Sequence, residues 1–399
     1  MITMGLMTGT SADALDVALV DFSVQDMGQG SRTGEELVME LLHHREVPFP
    51  DDLRSDLLRL LEPMSLPLSL VADVDSRLGI FSADTVQEVL DTHGIEHALV
   101  VSHGQTVQHL LDDGLVRGTL QIGQPAWIAE RTGCPVLSDV RARDVAAGGQ
   151  GAPLASMLDH LLFADAAEPT AALNLGGIAN LTVLAPGRAP LAYDTGPANA
   201  LVDVMARRII GDPCAIDRDG ALAAAGSVDQ PLLDALLADP YYRRTAPKST
   251  GKELFNAAYL DRVLAEHPDP GPHDVIATVT RLTAQTVAAG CHRHGVTRVL
   301  VSGGGTRNPV LMDELRRALG PAVALEPIDA LGLPGSAKEA ALMALLGWLT
   351  WHGLPATVPS CTGASRATPA GRLTPGDHPL DLPPPRTHPP HRLRVSKPL

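Results

Sequence analysis

Lysine is nearly missing from this 399-residue chain: Lys248, Lys252, Lys338 and Lys397 are all there are. Acidic side chains outnumber basic ones 46 to 31, a formal charge of −15. That balance excludes the broad basic face that nucleic acid demands, so any bound phosphate must meet local donors, a metal ion or a few cations. Cysteine is scarce and scattered at Cys134, Cys214, Cys291 and Cys361, with no CxxC pair, which excludes a disulfide framework or zinc knuckle and leaves reduced, packed thiols. No apolar run reaches membrane-spanning length without a charge or glycine, and no basic-plus-apolar leader opens the chain. The expectation is a cytoplasmic protein with neither a membrane nor a nucleic-acid partner.

What is present is enough apolar residue, 45% hydrophobic, to fill two cores. Apolar runs at 2–7 and 16–22 read as paired strands, and the segment between them, from Gly5 through Thr8, Gly9, Thr10, Ser11 and Asp13 to Asp16, is a small-residue turn with two carboxylates. Backbone N–H groups of such a turn approach phosphate oxygens, and Asp13 or Asp16 is suited to Mg²⁺; an ordinary polar hairpin turn is the plainer alternative. Helical periodicity follows over 51–61 and 68–92, a buried-type strand ending in polar residues over 98–104, and another strand over 135–140. A second strand, Gly-bearing turn and strand at 171–184 echoes the first, which predicts an internal duplication with two glycine turns facing one another across a cleft. Cys291-His292-Arg293-His294 closes a helical pattern over 273–294 and reads as a capping region. The Pro-rich stretch from Asp377 has no apolar period and predicts a disordered end.

Four further segments have chemical character. Residues 138–153 gather Asp139, Asp144, Arg141, Arg143 and a run of glycines after a predicted strand, a mixture suited to a carboxylate general base, with Asp144 better placed than Asp139. Asp194-Thr195-Gly196-Pro197-Ala198-Asn199 precedes a helix, whose free N–H groups suit phosphate or, equally, a simple N-cap. Gly303, Gly304 and Gly305 at a strand-to-helix junction predict a surface that a nucleotide approaches closely. His103 and Gln105 end a strand where they can hydrogen-bond a polyhydroxylated ligand, a buried, satisfied His103 being the plainer alternative. Lys248 lies in a loop feeding a helix capped by Ser249 or Thr250, where capping is the safer reading and lysine contact with phosphate or substrate the sharper one, and Glu339 opens the last long helix as a first-turn acid.

Taken in register, residues 5–16, 103–107, 139–154, 174–181, 194–199, 248–256, 302–308, 338–340 and 362–364 resemble the anhydro-N-acetylmuramic acid kinases, sugar kinases of the actin/hexokinase/Hsp70-like superfamily. The resemblance extends to about Arg372. It implies an α/β fold of two duplicated actin-like (RNase H-like) domains flanking an ATP/substrate cleft. The expected limits are 1–165, completed by the helix after 337, then 166–336, then a disordered tail at 377–399. It implies an ATP- and Mg²⁺-dependent enzyme that uses water to open the 1,6-anhydro ring and phosphorylates O6, giving N-acetylmuramic acid 6-phosphate in peptidoglycan recycling. Asp144 is then the general base. Gly9, Thr10, Ser11, Ala12, Asp13, Ala14, Leu15 and Asp16, with Asp194, Thr195, Gly196, Asn199, Gly303, Gly304 and Gly305, line the ATP site, and His103, Gln105, Lys248 and Glu339 bind the sugar. Thr8 keeps the hydroxyl of the family's usual Ser, Gln124 stands at a usually acidic position, and Ala14 and Ala198 stand where Gly is usual, departures that bear on ATP affinity. The alternatives are a kinase of another sugar and a nucleotide- or sugar-binding protein without turnover; a homodimer is left open.

Overall fold

A computed structural model describes residues 1–9, 12–26, 34–62, 64–112, 115–246, 248–251, 254–267 and 270–396. Its strands, in chain order, are β1 (Ile2–Thr8), β2 (Ala14–Asp26), β3 (Glu35–Pro48), β4 (Leu99–Ser102), β5 (Gln105–Asp112), β6 (Leu115–Ile122), β7 (Val136–Ser138), β8 (Thr170–Leu175), β9 (Ile178–Leu184), β10 (Leu191–Pro197), β11 (Arg298–Ser302), β12 (Ala324–Pro327), β13 (Arg372–Thr374) and β14 (Arg392–Ser396). The chain divides into two compact units, one of Met1–Ala164 with Leu331–Leu399 and the other of Asp165–Ala330.

The first unit is built on a sheet of order β13-β7-β4-β1-β2-β3-β14. β1, β2 and β3 form an antiparallel meander, and β4 and β7 lie parallel on the other side of β1. Parallel neighbours require crossovers, which the helices Leu68–His93 and Pro125–Thr132 provide. Met4, Leu6, Val17 and Val100 fill the core on one side with Leu57, Val74, Leu78 and Ile128. The helix Lys338–Trp351 is buried nearly all round. It crosses β1 so closely that a Cβ on Gly5 would sit 1.9 Å from the Ala340 carbonyl oxygen, so only glycine fits there.

The second unit repeats the plan. Its sheet has the order β10-β9-β8-β11-β12, again an antiparallel meander with two parallel strands added beside the first. The duplication foreshadowed by the two strand-turn-strand segments is thus a repeat of order and sense, not of composition alone. Beyond this sheet, Leu201, Met205, Leu232, Leu236, Phe255, Tyr259, Ile276 and Val279 make a second, helical core.

Two local expectations are corrected. The stretch from Asp377 ends in a strand, not in disorder: β14 runs parallel to β3, burying Leu393 and Val395 while Arg392 and Arg394 reach the two oxygens of the buried Glu36 at 2.7 and 2.9 Å. Two apolar residues and one shared carboxylate suffice for a strand that pairs onto an existing edge. The helix Ala257–Leu264 is capped by Asn256, whose side chain accepts from the Tyr259 N–H at 3.0 Å, rather than by Ser249 or Thr250. The polar segment 105–122 forms the hairpin β5–β6, whose mixed faces hide its alternation. Among the described residues no helix is long and apolar enough to cross a membrane. All four cysteines are free, and burial pushes the Cys291 thiol up to about 12.

Candidate active site

In the first unit, the C-terminal ends of the parallel strands β1, β4 and β7 bring several of the singled-out residues together, the usual place for a site in an open α/β sheet. Asp144 lies in the short helix Ala142–Ala146 just after β7 and is fully buried. Its carboxylate is gripped from two sides: the Gly151 N–H donates to Oδ2 at 2.8 Å and the Thr362 hydroxyl donates to Oδ1 at 2.7 Å. The segments holding these donors are themselves stitched together, since the Gln150 N–H donates to the Thr362 carbonyl at 2.8 Å and the Ser365 N–H to the Ala147 carbonyl at 2.9 Å. Each carboxylate oxygen keeps a lone pair for a further hydrogen-bond donor. Asp139, the reserve candidate, is instead ion-paired with Arg372 at 2.6 Å.

Beside Asp144 stands Arg141, a residue that sequence reading placed in the segment without giving it a role. Its NH1 group donates to the Gly151 carbonyl at 2.6 Å and its Nε to His103 Nε2 at 2.9 Å. Burial lowers the guanidinium to about 10, opposed by the Glu339 and Asp144 charges, so it stays a cation at neutral pH. His103 corrects an expectation. With Nε2 accepting from Arg141, Nδ1 carries the proton and meets the Gly104 carbonyl at 2.6 Å, an assignment that follows from the partners. Burial, then the neighbouring Arg141, drives His103 down to about 3. A neutral histidine with both nitrogens spent inside the protein holds Arg141 in place and has nothing left for a sugar. The Thr8 hydroxyl donates to the same Gly104 carbonyl at 2.7 Å, tying the first turn to this group.

Gln105 is different, because its Oε1 is buried without a hydrogen-bond partner among the described residues, an acceptor open to a ligand hydroxyl. Glu339 lies in the first turn of the helix that crosses β1. Burial raises its carboxyl above the ordinary range, and the Asp16 charge adds to the rise, opposed by Lys338 and Arg141. Lys338 itself is turned to Asp159 at 2.8 Å in a pair whose side chains are only 5% and 2% exposed.

The turn between β1 and β2 is described in part; Thr10 and Ser11 lie outside the described residues. Gly9 accepts from the Ala12 N–H at 3.2 Å. Ala12 and Leu15 are core side chains, so any contact of theirs with phosphate is through the backbone. The positive φ of this turn falls on Ala12, at 49°, and neither Ala14 nor Ala198 adopts one, so neither departure from glycine is opposed by a left-handed backbone. Gln124, the third departure, caps the helix Pro125–Thr132. As for a metal ion, the two acids separate. Asp13 is exposed and paired with Arg54 at 2.5 Å, whereas Asp16 Oδ1 is buried without a hydrogen bond among the described residues and has only His44 Nε2 at 3.6 Å. The orphaned oxygen makes Asp16 the better match for Mg²⁺, which takes few carboxylates. Among the described residues no group of three or more His, Cys, Asp or Glu is arranged around a metal position.

In the second unit the helix Asn199–Ile210 lacks the free donors expected of it. The N–H groups of Ala198, Asn199 and Ala200 donate to the Gly177, Gly176 and Gly177 carbonyls at 2.9, 3.0 and 3.0 Å, and the Asn199 amide donates to Gly176 as well. The β8–β9 turn has folded back onto the helix start and used them. The buried Thr195 donates its hydroxyl to the Ala179 carbonyl at 3.2 Å, and a Cβ at Gly196 would lie 2.9 Å from the Tyr242 ring. Of the glycine triplet, Gly303 has φ +92 and would collide with Asn174 and Leu175, and a Cβ on Gly305 would meet the Leu175 side chain at 2.8 Å. Gly304 alone faces open space, and there a ligand can approach. Lys248 is half-buried, donating to the Tyr241 carbonyl at 3.1 Å, with its ammonium 4.3 Å from the centre of the Tyr241 ring. Burial, then Arg293 and Arg244, lowers it to about 8, opposed by Asp194.

The family model for anhydro-N-acetylmuramic acid kinase matches residues 1–376. An anhydro-N-acetylmuramic acid kinase of Streptomyces coelicolor is 54% identical over 396 residues, covering 99% of each chain, and one of Rhodococcus erythropolis is 44% identical over 390 residues, covering 95% of this chain and 96% of that one. Among solved structures, a ROK family glucokinase from Streptomyces griseus aligns at 13% identity with a TM-score of 0.38, over 86% of this chain and 99% of that one. On the family match and the full-length identities, the chain belongs to the anhydro-N-acetylmuramic acid kinase family.

Proposed function

We propose that this protein uses ATP and water to open the 1,6-anhydro ring of anhydro-N-acetylmuramic acid and phosphorylate O6, producing N-acetylmuramic acid 6-phosphate and ADP for cell-wall recycling. The observation that supports it most is the buried Asp144 carboxylate, held by Gly151 and Thr362 beside the Arg141 cation. In this reading Asp144 takes a proton from water as the water oxygen bonds to the anomeric carbon. The bond from that carbon to O6 breaks, O6 keeps the electron pair and attacks the γ-phosphorus, and ADP departs. Attack from the face opposite the bridge inverts the anomeric centre, as in other two-sided glycosidic displacements.

Gln105 and Glu339 contact the sugar in this scheme, Lys248 supplies a cation for an anionic group, and His103 acts through Arg141. The backbone of 9–16 receives the phosphates and Gly304 the nucleoside. Mg²⁺, held through Asp16, would neutralise phosphate charge, which is most of what phosphoryl transfer requires. The test is to incubate the protein with the anhydro-sugar and ATP in oxygen-18 water and weigh the product. A gain of both phosphoryl and labelled water supports the reading; phosphoryl without water identifies an ordinary sugar kinase, and no product a binding protein.

A further inference from the structure

Every polar atom of Asp194 is committed within the second unit. Its N–H donates to the Lys248 carbonyl at 3.0 Å, and its carbonyl accepts from the Tyr241 hydroxyl at 2.7 Å. Asn180, directly opposite on β9, donates from Nδ2 to Oδ1 at 2.9 Å, and the Thr250 N–H donates to Oδ2 at 2.9 Å. Residues 248–251 belong to no helix or strand, and these bonds, the Lys248–Tyr241 contacts and the Leu254 and Phe255 N–H groups that donate to the Gly251 carbonyl hold their course. An acid meant for a phosphate or a metal ion presents its oxygens outward; this one has them turned to a loop and a neighbouring strand.

We propose that Asp194 is a positioning residue, a latch that fastens segment 248–251 to β9 and β10 and so fixes where the Lys248 ammonium is presented. The inference rests on the reading that Lys248 serves the substrate. It differs from a contact role because it needs two hydrogen-bonding atoms at 194, not a charge. Asp194→Asn keeps both: its Oδ1 accepts from Thr250, and its NH₂ donates to the Asn180 side-chain oxygen once that amide turns over. Asp194→Ala removes both atoms and leaves the Asn180 and Thr250 donors without their acceptor.

The experiment compares wild type, Asp194→Ala and Asp194→Asn by steady-state kinetics with the anhydro-sugar and by hydrogen exchange of the Thr250 amide. Loss of the hydrogen bonds to a charged acceptor predicts a fall in kcat/KM of about tenfold or more in Asp194→Ala, carried chiefly by KM, with about tenfold faster exchange at Thr250. Asp194→Asn is expected to keep both within roughly threefold of wild type. If it keeps amide protection while activity falls to the Asp194→Ala level, the charge itself meets a ligand and the latch is overturned; unchanged Thr250 exchange in Asp194→Ala overturns it as well. A Lys248→Ala variant separates the two ideas. Wild-type kinetics there, with Thr250 exchange still slowed by Asp194, would sink the role given to Lys248 and leave the latch standing.

Discussion

Replacing Thr362 by Val removes one hydroxyl from the grip on Asp144 and almost nothing else, since the side chains have similar shape and Thr362 is 1% exposed. The wild-type bond is 2.7 Å long and both partners are buried. A hydrogen bond to a charged group contributes about 1.5–3 kcal/mol. Thr362→Val therefore leaves the carboxylate with the Gly151 N–H as its remaining donor among the described residues and free to rotate, and kcat/KM is expected to drop about ten- to a hundredfold if the whole contribution is needed in the transition state. Thr362→Ser, which keeps the hydroxyl, is expected to stay within about threefold of wild type. The assay is a coupled measurement of ADP release, with denaturant unfolding alongside to separate catalysis from folding. The same substitution made in an Asp144→Asn background should cost far less, because the charge it serves is gone. Full activity in Thr362→Val, or an equal cost in both backgrounds, would refute the claim that the hydroxyl acts through Asp144.

Three further outcomes follow from the geometry. Lys338→Met strands the buried Asp159 carboxylate and is expected to destabilise the fold by about 3–5 kcal/mol, while Lys338→Met/Asp159→Leu regains most of it in urea unfolding. Because Lys248 sits at about 8, it is charged below that pH and neutral above it; KM for the sugar should rise as pH climbs past 8 in wild type and stay flat in Lys248→Arg, whose guanidinium remains protonated. Gly303→Ala should lower Tm because its Cβ meets Asn174 at 2.5 Å, whereas Gly304→Ala, with nothing within 4 Å, should spare Tm and weaken ATP binding by calorimetry.

The paired sheets were readable because buried strands write themselves as apolar runs: Ile2–Thr8 and Thr170–Leu175 announce the start of each unit before any tertiary contact is known. Asp144 stood out through the glycines that follow it, and at one of them, Gly149, a Cβ would lie 2.2 Å from its Oδ2. Thr362 was visible only as part of the matched segment 362–364, without a role, because its hydroxyl reaches Asp144 across 218 residues of chain. The same limit explains the helix Asn199–Ile210. Its sequence shows a helix start with donors to spare, but only the folded chain brings the Gly176 and Gly177 carbonyls onto them. His103 was visible as a polar strand end, yet whether its nitrogens face a ligand or an arginine depends on where Arg141 lands.

The account stands on Asp144 as the base that activates water, and Asp144→Asn tests this with almost no change of shape. Oxygen-18 incorporation from water into the phosphorylated sugar should fall to the detection limit in Asp144→Asn, while calorimetry gives an ATP affinity close to wild type. Incorporation at the wild-type rate in that variant would contradict the account.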